Sequence, residues 1–557
     1  MSDFRDQLLA MHRQMYKRNM RLINKFLSFD EQVAKYAREY NHYLKSFESI
    51  SSKSELIYRI LSSDVVYHGD YHTLKQSQRC VLRVLREITG KREIILCLEM
   101  FHSKDQKFVD KFVAGKLSEH TFLKKINYAQ KWEYKWEYWR PLILFAMEHA
   151  LPIIGINSDM SSGSNSLRSR DYHAAQIITK LILRNPGKLV YVVDGDYHIS
   201  PNHLPKEVDA LLALLDEKGK RTIIYQNVEN LYWQLAEEKK EEADVLQISQ
   251  DSYCIMNTTP ANKLQSYLNW MEYSDDAWYP INSDWGELAE ADDSTTIPEF
   301  AKKICALLGL PFPRKALQHM TIYYSTNLEF MSMISQSEEL AHMLPFIKRR
   351  IKNGEGFLLE YDSKWGEAYL IYLANSSTNM AAEEAAHFIN AALRGPHRNL
   401  HNSFDLFYFY VIIEMLGFFG SKLINEKRKS LSSHALRTYL GKFKNNGASP
   451  EEQEKIDIAH LILQHHYLEK HSKDPEIYQK KFSAVFRPKS SRFVILSTQL
   501  GYMAGNRLFT MVRKGLFPLD EVRDLFKKRF DEPFKAFQYY LNISERLRNL
   551  RRNHARN

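Results

Sequence analysis

Cysteine is scarce in this 557-residue chain: Cys80, Cys97, Cys254 and Cys305 stand far apart and form no CxxC pair. That excludes a disulfide framework and a zinc ribbon, and it fits a reducing compartment. With 21 glycines and 17 prolines, the chain is also too poor in both for long flexible or collagen-like tracts. Long apolar runs are missing too. The nearest, Leu406 to Gly420 (LFYFYVIIEMLGFFG), is shorter than the about 20 residues a crossing helix needs and carries Glu414 at its middle. It reads as a helix buried in a protein core, and no transmembrane segment is expected. The opening MSDFRDQLLAMHRQMYKRNMRLINKF has amphipathic helical spacing, without the apolar run and small-residue cleavage site of a secretory signal. A cytoplasmic location is therefore expected. Charge of one sign is modest: 77 Lys+Arg against 67 Asp+Glu leave a net charge of +10, which permits contact with phosphates or acidic lipid without demanding it. The five arginines after Glu545 lack interleaved aromatics or a known module, so they read as a solvated helix end and nucleic acid is not an expected partner.

What is present begins as helix, with Leu8, Met11 and Met15, then Val33, Tyr36 and Tyr40, at three- and four-residue spacing. From about residue 61 the rhythm changes. Short apolar strands at Asp64 to His68, Arg92 to Leu98, Pro152 to Asn157, Leu189 to Val193 and Arg221 to Gln226 alternate with long helical stretches. That alternation predicts an α/β domain over residues 61–280, a parallel sheet with flanking helices, preceded by N-terminal helices over 1–60. An acidic segment, Asp284 to Glu299, marks a boundary. Beyond it, over 300–557, a mostly helical C-terminal domain is expected, with a small hairpin at Gly356 to Leu373.

Gly-Asp-Tyr-His occurs twice, as Gly69-Asp70-Tyr71-His72 and Gly195-Asp196-Tyr197-His198, each directly after a predicted strand. Glu99 and Asn157 end the second and third strands. Four strands thus carry polar residues to the carboxyl edge of one sheet, where open α/β sheets bind ligands. Gly69 and Gly195 are read as points where the backbone leaves its strand at φ values that other residues avoid, so that the histidine can turn back over the edge. His72, His198 and Glu99 could then hold a divalent metal, with Zn, Mn, Fe and Co all suited to two imidazoles and a carboxylate. Alternatively, one histidine is a general base that activates water.

These stretches, together with YWRPLILFAMEHALPIIGINS and RDYHAAQIITKLI, resemble the ChaN-like proteins, which share a superfamily with the Tiki metalloproteases and the erythromycin esterases. The resemblance runs over about residues 60–230. Its signature of two GxxH motifs and an intervening Glu falls on Gly69/His72, Glu99 and Gly195/His198. Many members have Glu after the first glycine where this chain has Asp70. Arg140, Asn157 and Arg170 fall where the ChaN pattern is polar, and with Gly69, Asp70, Gly195 and Asp196 they make up the expected ligand-binding set. The resemblance implies either a metal-assisted or His-based hydrolase of a small-molecule or peptide substrate, or a haem-binding protein, or a scaffold without chemistry. As haem ligands, His68, Tyr71 and Tyr197 are candidates by chemistry. A homodimer is compatible with each.

Two further patterns stand apart. Trp132, Trp136 and Trp139 are spaced to share a helix face, either packed on the sheet or walling a flat ligand. Glu384-xx-His387 and Asp457-xx-His460, with Glu414, echo the carboxylate–histidine pairs of di-iron bundles, though satisfied polar residues are the expected reading.

Overall fold

The computed structural model describes residues 4–26, 31–158, 166–273, 293–324, 330–337, 340–352, 355–363, 366–374, 377–395, 402–442, 450–486 and 491–554. The chain forms two compact units, Met15–Tyr279 and Pro280–Asn557 with Met1–Gln14. Most of the acidic boundary segment, up to residue 292, lies outside the described residues.

The first unit is built on an eight-stranded sheet: β1 (Ser49–Ser51), β2 (Val65–Asp70), β3 (Ile94–His102), β4 (Ile153–Asn157), β5 (Leu189–Gly195), β6 (Arg221–Gln226), β7 (Val245–Ser249) and β8 (Ser252–Ile255), in the order β1-β7-β8-β6-β2-β5-β3-β4. The strands from β8 to β4 are parallel to their neighbours, and β7 pairs antiparallel with β8 and β1. The fold is therefore α/β with a mostly parallel sheet and flanking helices, as the alternating pattern implies.

Side chains along the central strands alternate between two cores. Leu189, Tyr191 and Val193 of β5 join one apolar cluster with Val66, Leu96 and Leu98, whereas Val190 and Val192 join the other with Val65, Tyr67 and Cys97. Both faces are covered by helices, which is why these strands read as unbroken apolar runs. On the first face lie the helices Lys75–Ile88 and Trp136–Glu148, whose Val81, Leu85, Ile88, Leu142 and Ile143 are buried at helical spacing. On the second lie Ser166–Arg184 and Leu204–Ala213, with Ile178, Val208 and Leu212. All four cysteines are free and buried.

The second unit is largely helical. Its helix Ser403–Ile424 contains the apolar run, and 89% of the most apolar window is buried. Gly501 on the helix Ser491–Arg513 allows that helix to pack closely: a Cβ there would lie 2.7 Å from the Val411 carbonyl oxygen. The expected hairpin is present as β10 (Phe357–Ser363) and β11 (Gly366–Leu373), joined by a parallel strand, β9 (Met320–Tyr324), into a three-stranded sheet.

Candidate functional site

The register between β2 and β5 sets the two Gly-Asp-Tyr-His copies side by side, one residue out of step: Gly69 pairs with Asp194 and Asp70 with Gly195. On the other side of β5, Leu98 pairs with Val193, which brings Glu99 level with Asp194. Three neighbouring strands thus deliver His72, Glu99 and His198 to the carboxyl edge. Glu99 is central, with Oε2 3.6 Å from His72 Nε2 and Oε1 4.0 Å from His198 Nε2. Arg170 Nη2 donates to Glu99 Oε1 at 2.5 Å, and the Gly195 amide donates to Glu99 Oε2 at 2.8 Å. Asn157 Oδ1 accepts from Arg170 Nε at 3.2 Å and so steadies the guanidinium.

Gly195 lies beneath the convergence. A Cβ built on it would stand 3.4 Å from His72 Nε2, 3.5 Å from Glu99 Oε2 and 3.5 Å from His198 Cδ2. Gly69 is needed for a different closeness, since a Cβ there would press into the Asp196 carboxylate and reach Ile199 Cδ1 at 2.9 Å. Neither glycine is at positive φ, and both lie within their strands. The expectation of a sharp backbone exit is thus corrected: Gly69 is required for space, and Gly195 leaves open the space between the three side chains.

The two tetrapeptides are not equivalent. In the first, Asp70 Oδ2 accepts from His72 Nδ1 at 2.7 Å, and Gln78 donates to the other oxygen at 2.7 Å. In the second, Asp196 turns away to Lys263 Nζ at 3.4 Å, and His198 Nδ1 instead donates to Asp171 Oδ1 at 2.5 Å. Asp171 comes from the helix Ser166–Arg184 and is held in turn by the Tyr36 hydroxyl at 2.8 Å. Each imidazole therefore has a carboxylate on Nδ1 and offers Nε2 to Glu99, an arrangement that fixes tautomer and ring direction in metal sites and in acid–base pairs alike.

Burial alone would raise the Glu99 pKa, but the charges of His72, Arg170 and His198 outweigh it and hold this carboxyl below the usual range. Asp194 goes the opposite way, pushed well above its ordinary value by burial and by the Glu99 carboxylate next to it. The two carboxyls are thus driven in opposite directions, Glu99 towards the ionised form and Asp194 towards the protonated one. For His72, burial is outweighed by the bond to Asp70 and the charge of Glu99, so its pKa is raised. Asp196 is raised by burial to about 6 despite Lys263.

Glu99, Asp194 and His198 each bring a possible ligand atom within 4.8 Å of the others. That tighter set contains Asp194 in place of His72, whereas the sequence pointed to His72, Glu99 and His198. Arg140 is not brought to the site: it pairs with Glu119 at 2.8 Å on the helix Trp136–Glu148. The tryptophan stripe is broken as well, because one helix ends at Lys131 and the next begins at Trp136. All three indoles are buried in the core. Trp132 and Tyr134 nonetheless flank His72, with ring centroids 4.7 and 4.8 Å from the imidazole.

Four groups escaped the sequence reading. Asp171 opens a third Asp-Tyr-His, residues 171–173, and that repetition was the available signal. Asp194 directly precedes Gly195 and was visible as a polar residue at a strand end. Lys263 and Glu229, which face each other at 3.4 Å beside Asp196, carry no local signature.

Residues 56–168 match the model of the family described as haem-binding uptake, Tiki superfamily, ChaN. Over those residues the α/β unit is ChaN-like. The match spans Gly69 to His72, Glu99 and Asn157, and ends before Arg170, Asp171 and the second tetrapeptide. A solved structure of ChaN of Campylobacter jejuni, described as showing cofacial heme binding, is 14% identical with a TM-score of 0.26, covering 32% of this chain and 87% of that one. No curated protein matches the chain.

Proposed function

We propose that the ChaN-like unit is a hydrolase whose site lies at the carboxyl edge of the sheet and holds a divalent cation between His72, Glu99 and His198. The observation that supports this reading best is the convergence of those three side chains on one point above Gly195, a cradle that a single Cβ would fill. The donor set suits Zn, Mn, Fe or Co, with Asp194 close enough to join it. Such a cation, when bound, supplies a Lewis acid that acidifies water near neutral pH.

The chain's own residues have distinct tasks. Asp70 and Asp171 hold the two rings with Nε2 turned to Glu99. Glu99 stays ionised and accepts from Arg170, whose side chain is 27% exposed and is placed to meet negative charge developing on a substrate carbonyl or acyl oxygen. Burial and the neighbouring Glu99 carboxylate push the Asp194 pKa well above its ordinary value. Trp132 and Tyr134 shield one side of His72 from water. The substrate is a small molecule or a peptide, and the buried free cysteines suit a cytoplasmic location.

The family description favours a second reading, haem binding. His68 does not fit that role: it is wholly buried, bonds Tyr191 through Nδ1 at 2.6 Å, and has its pKa driven by burial to about 3. Tyr71 is covered by Lys263, which stands 4.8 Å over its ring. Of the three candidates, Tyr197 alone is open, at 39% exposure. Elemental analysis of the purified protein and titration with haemin separate the readings. One equivalent of metal bound without a saturable Soret shift supports the hydrolase. A Soret shift lost in Tyr197→Phe, with no metal bound, overturns it in favour of haem.

A further inference from the structure

The helical unit contains a buried cluster that the hydrolytic site does not use. Glu383, Glu384 and His387 lie on the helix Thr378–Arg394, and Glu414 lies on Ser403–Ile424. Their exposures are 5%, 1%, 6% and 1%. One possible ligand atom from each of Glu383, His387 and Glu414 falls within 4.8 Å of the others. His387 Nδ1 donates to Glu384 Oε2 at 3.0 Å. Among the described residues the opposite nitrogen, Nε2, has no hydrogen-bond partner, and neither has Glu414 Oε2, beside which Thr498 stands. A nitrogen and a carboxylate oxygen left unpaired together in a core are costly unless something sits between them.

Gly417, three residues beyond Glu414, admits the imidazole: a Cβ there would overlap His387 Nε2. Among the described residues, Arg350 pairs with Glu355 and Glu414, and Arg428 pairs with Glu383.

We propose that Glu383, His387 and Glu414 form a second metal site, which takes a first-row divalent cation and staples the two helices together. Glu384 is the positioning residue that orients the imidazole, in the way carboxylates commonly back a ligating histidine. Arg428 at 2.7 Å and the Tyr502 hydroxyl at 2.5 Å hold Glu383 from outside, and Arg350 holds the other oxygen of Glu414. A mixed imidazole and carboxylate set suits zinc, manganese or iron. The proposal is independent of the site in the ChaN-like unit.

The test uses the full-length chain with His72→Ala and His198→Ala, which removes the other site and leaves the helical unit untouched. The protein is stripped with chelator, offered zinc alone, freed of excess by gel filtration and analysed for metal. One equivalent per chain is expected, falling at least tenfold to below about a tenth of an equivalent when His387→Gln is added. X-ray absorption of the zinc-loaded parent should show one imidazole with oxygen donors at about 2.0–2.2 Å, and this reading decides the matter even if the His387 variant does not fold. A parent without zinc overturns the proposal whatever the unsubstituted protein holds. So does zinc that persists in a folded His387→Gln variant, or a first shell with sulfur or several imidazoles.

Discussion

Replacing each strand-end glycine with alanine should separate the needs of the fold from those of the site. Gly69 and Gly195 both lie in strands without positive φ, so neither backbone objects to a Cβ. What the new methyl group would touch differs. At Gly69 it meets Ile199 Cδ1 at 2.9 Å and the Asp196 carboxylate, which Lys263 holds at 3.4 Å and keeps from swinging aside. Overpacking of this kind in a buried strand costs about 1–3 kcal/mol. At Gly195 the contacts are 3.4–3.5 Å, ordinary van der Waals distances, and all three are with His72, Glu99 and His198. Restricting the unfolded chain there favours the variant by about 0.4–1 kcal/mol, which offsets some lost hydration of the site. Gly195→Ala should therefore be as stable as the unsubstituted protein, yet fail to retain metal in the ChaN-like unit. Gly69→Ala should lose about 1–3 kcal/mol. Urea unfolding of the full chain, with metal analysis of the same samples, reads both effects. The reasoning fails if Gly195→Ala is destabilised as much as Gly69→Ala, or if it keeps its full metal content at that site.

Asp171→Asn removes the carboxylate behind His198 and should weaken zinc binding at the first site by about 10–100-fold in titration calorimetry, as losses behind a ligating histidine generally do. Asp196→Asn, though nearer in sequence, should leave that affinity within about threefold, because Asp196 bonds Lys263 and not His198. In metal-free protein the raised pKa of His72 stabilises the fold at low pH. That contribution is complete below about pH 6.5 and disappears as the pH rises through the raised value, so the gap in urea midpoint between the unsubstituted protein and His72→Gln should narrow as the pH rises above about 6.5. Glu99 has the opposite sign. Its lowered pKa stabilises the fold above the ordinary carboxylate range, and the gap to Glu99→Gln should narrow as the pH falls from about 5 to 3.

The parallel sheet was legible because its strands are buried on both faces and so appear as unbroken apolar runs between amphipathic helices. Arg221 to Gln226 coincides with β6 at both ends. The strands that went unread are those without that signature. Ser49–Ser51 is three residues long and mostly exposed, and β7 and β8 form a short antiparallel pair whose nine residues include two serines and Gln247. β9 escaped for a related reason, since Met320–Tyr324 gains its place only by pairing with β11, about fifty residues further on. Strand lengths were also underestimated: β2 and β5 continue through Gly69 and Gly195, where the sequence suggested that glycine would end them.

The limit for the site is of another kind. The strand-end positions follow from parallel topology, which is why His72, Glu99 and His198 could be named from spacing alone. The residue that holds each histidine does not follow from it. Two identical tetrapeptides invite identical roles, yet the register of β2 against β5 is shifted by one residue, so Asp70 and Asp196 face different neighbours. Asp70 takes its own histidine and Gln78, and it closes a local pair. Asp196 is pressed beneath Gly69 and drawn to Lys263 on a helix more than sixty residues away, which leaves His198 to find an acid elsewhere. The helix Ser166–Arg184 supplies it, because Asp171 lies beside Arg170 and the two adjacent side chains reach His198 and Glu99 respectively. Charge complementarity on one helical turn thus completes a site that repetition of sequence left half specified.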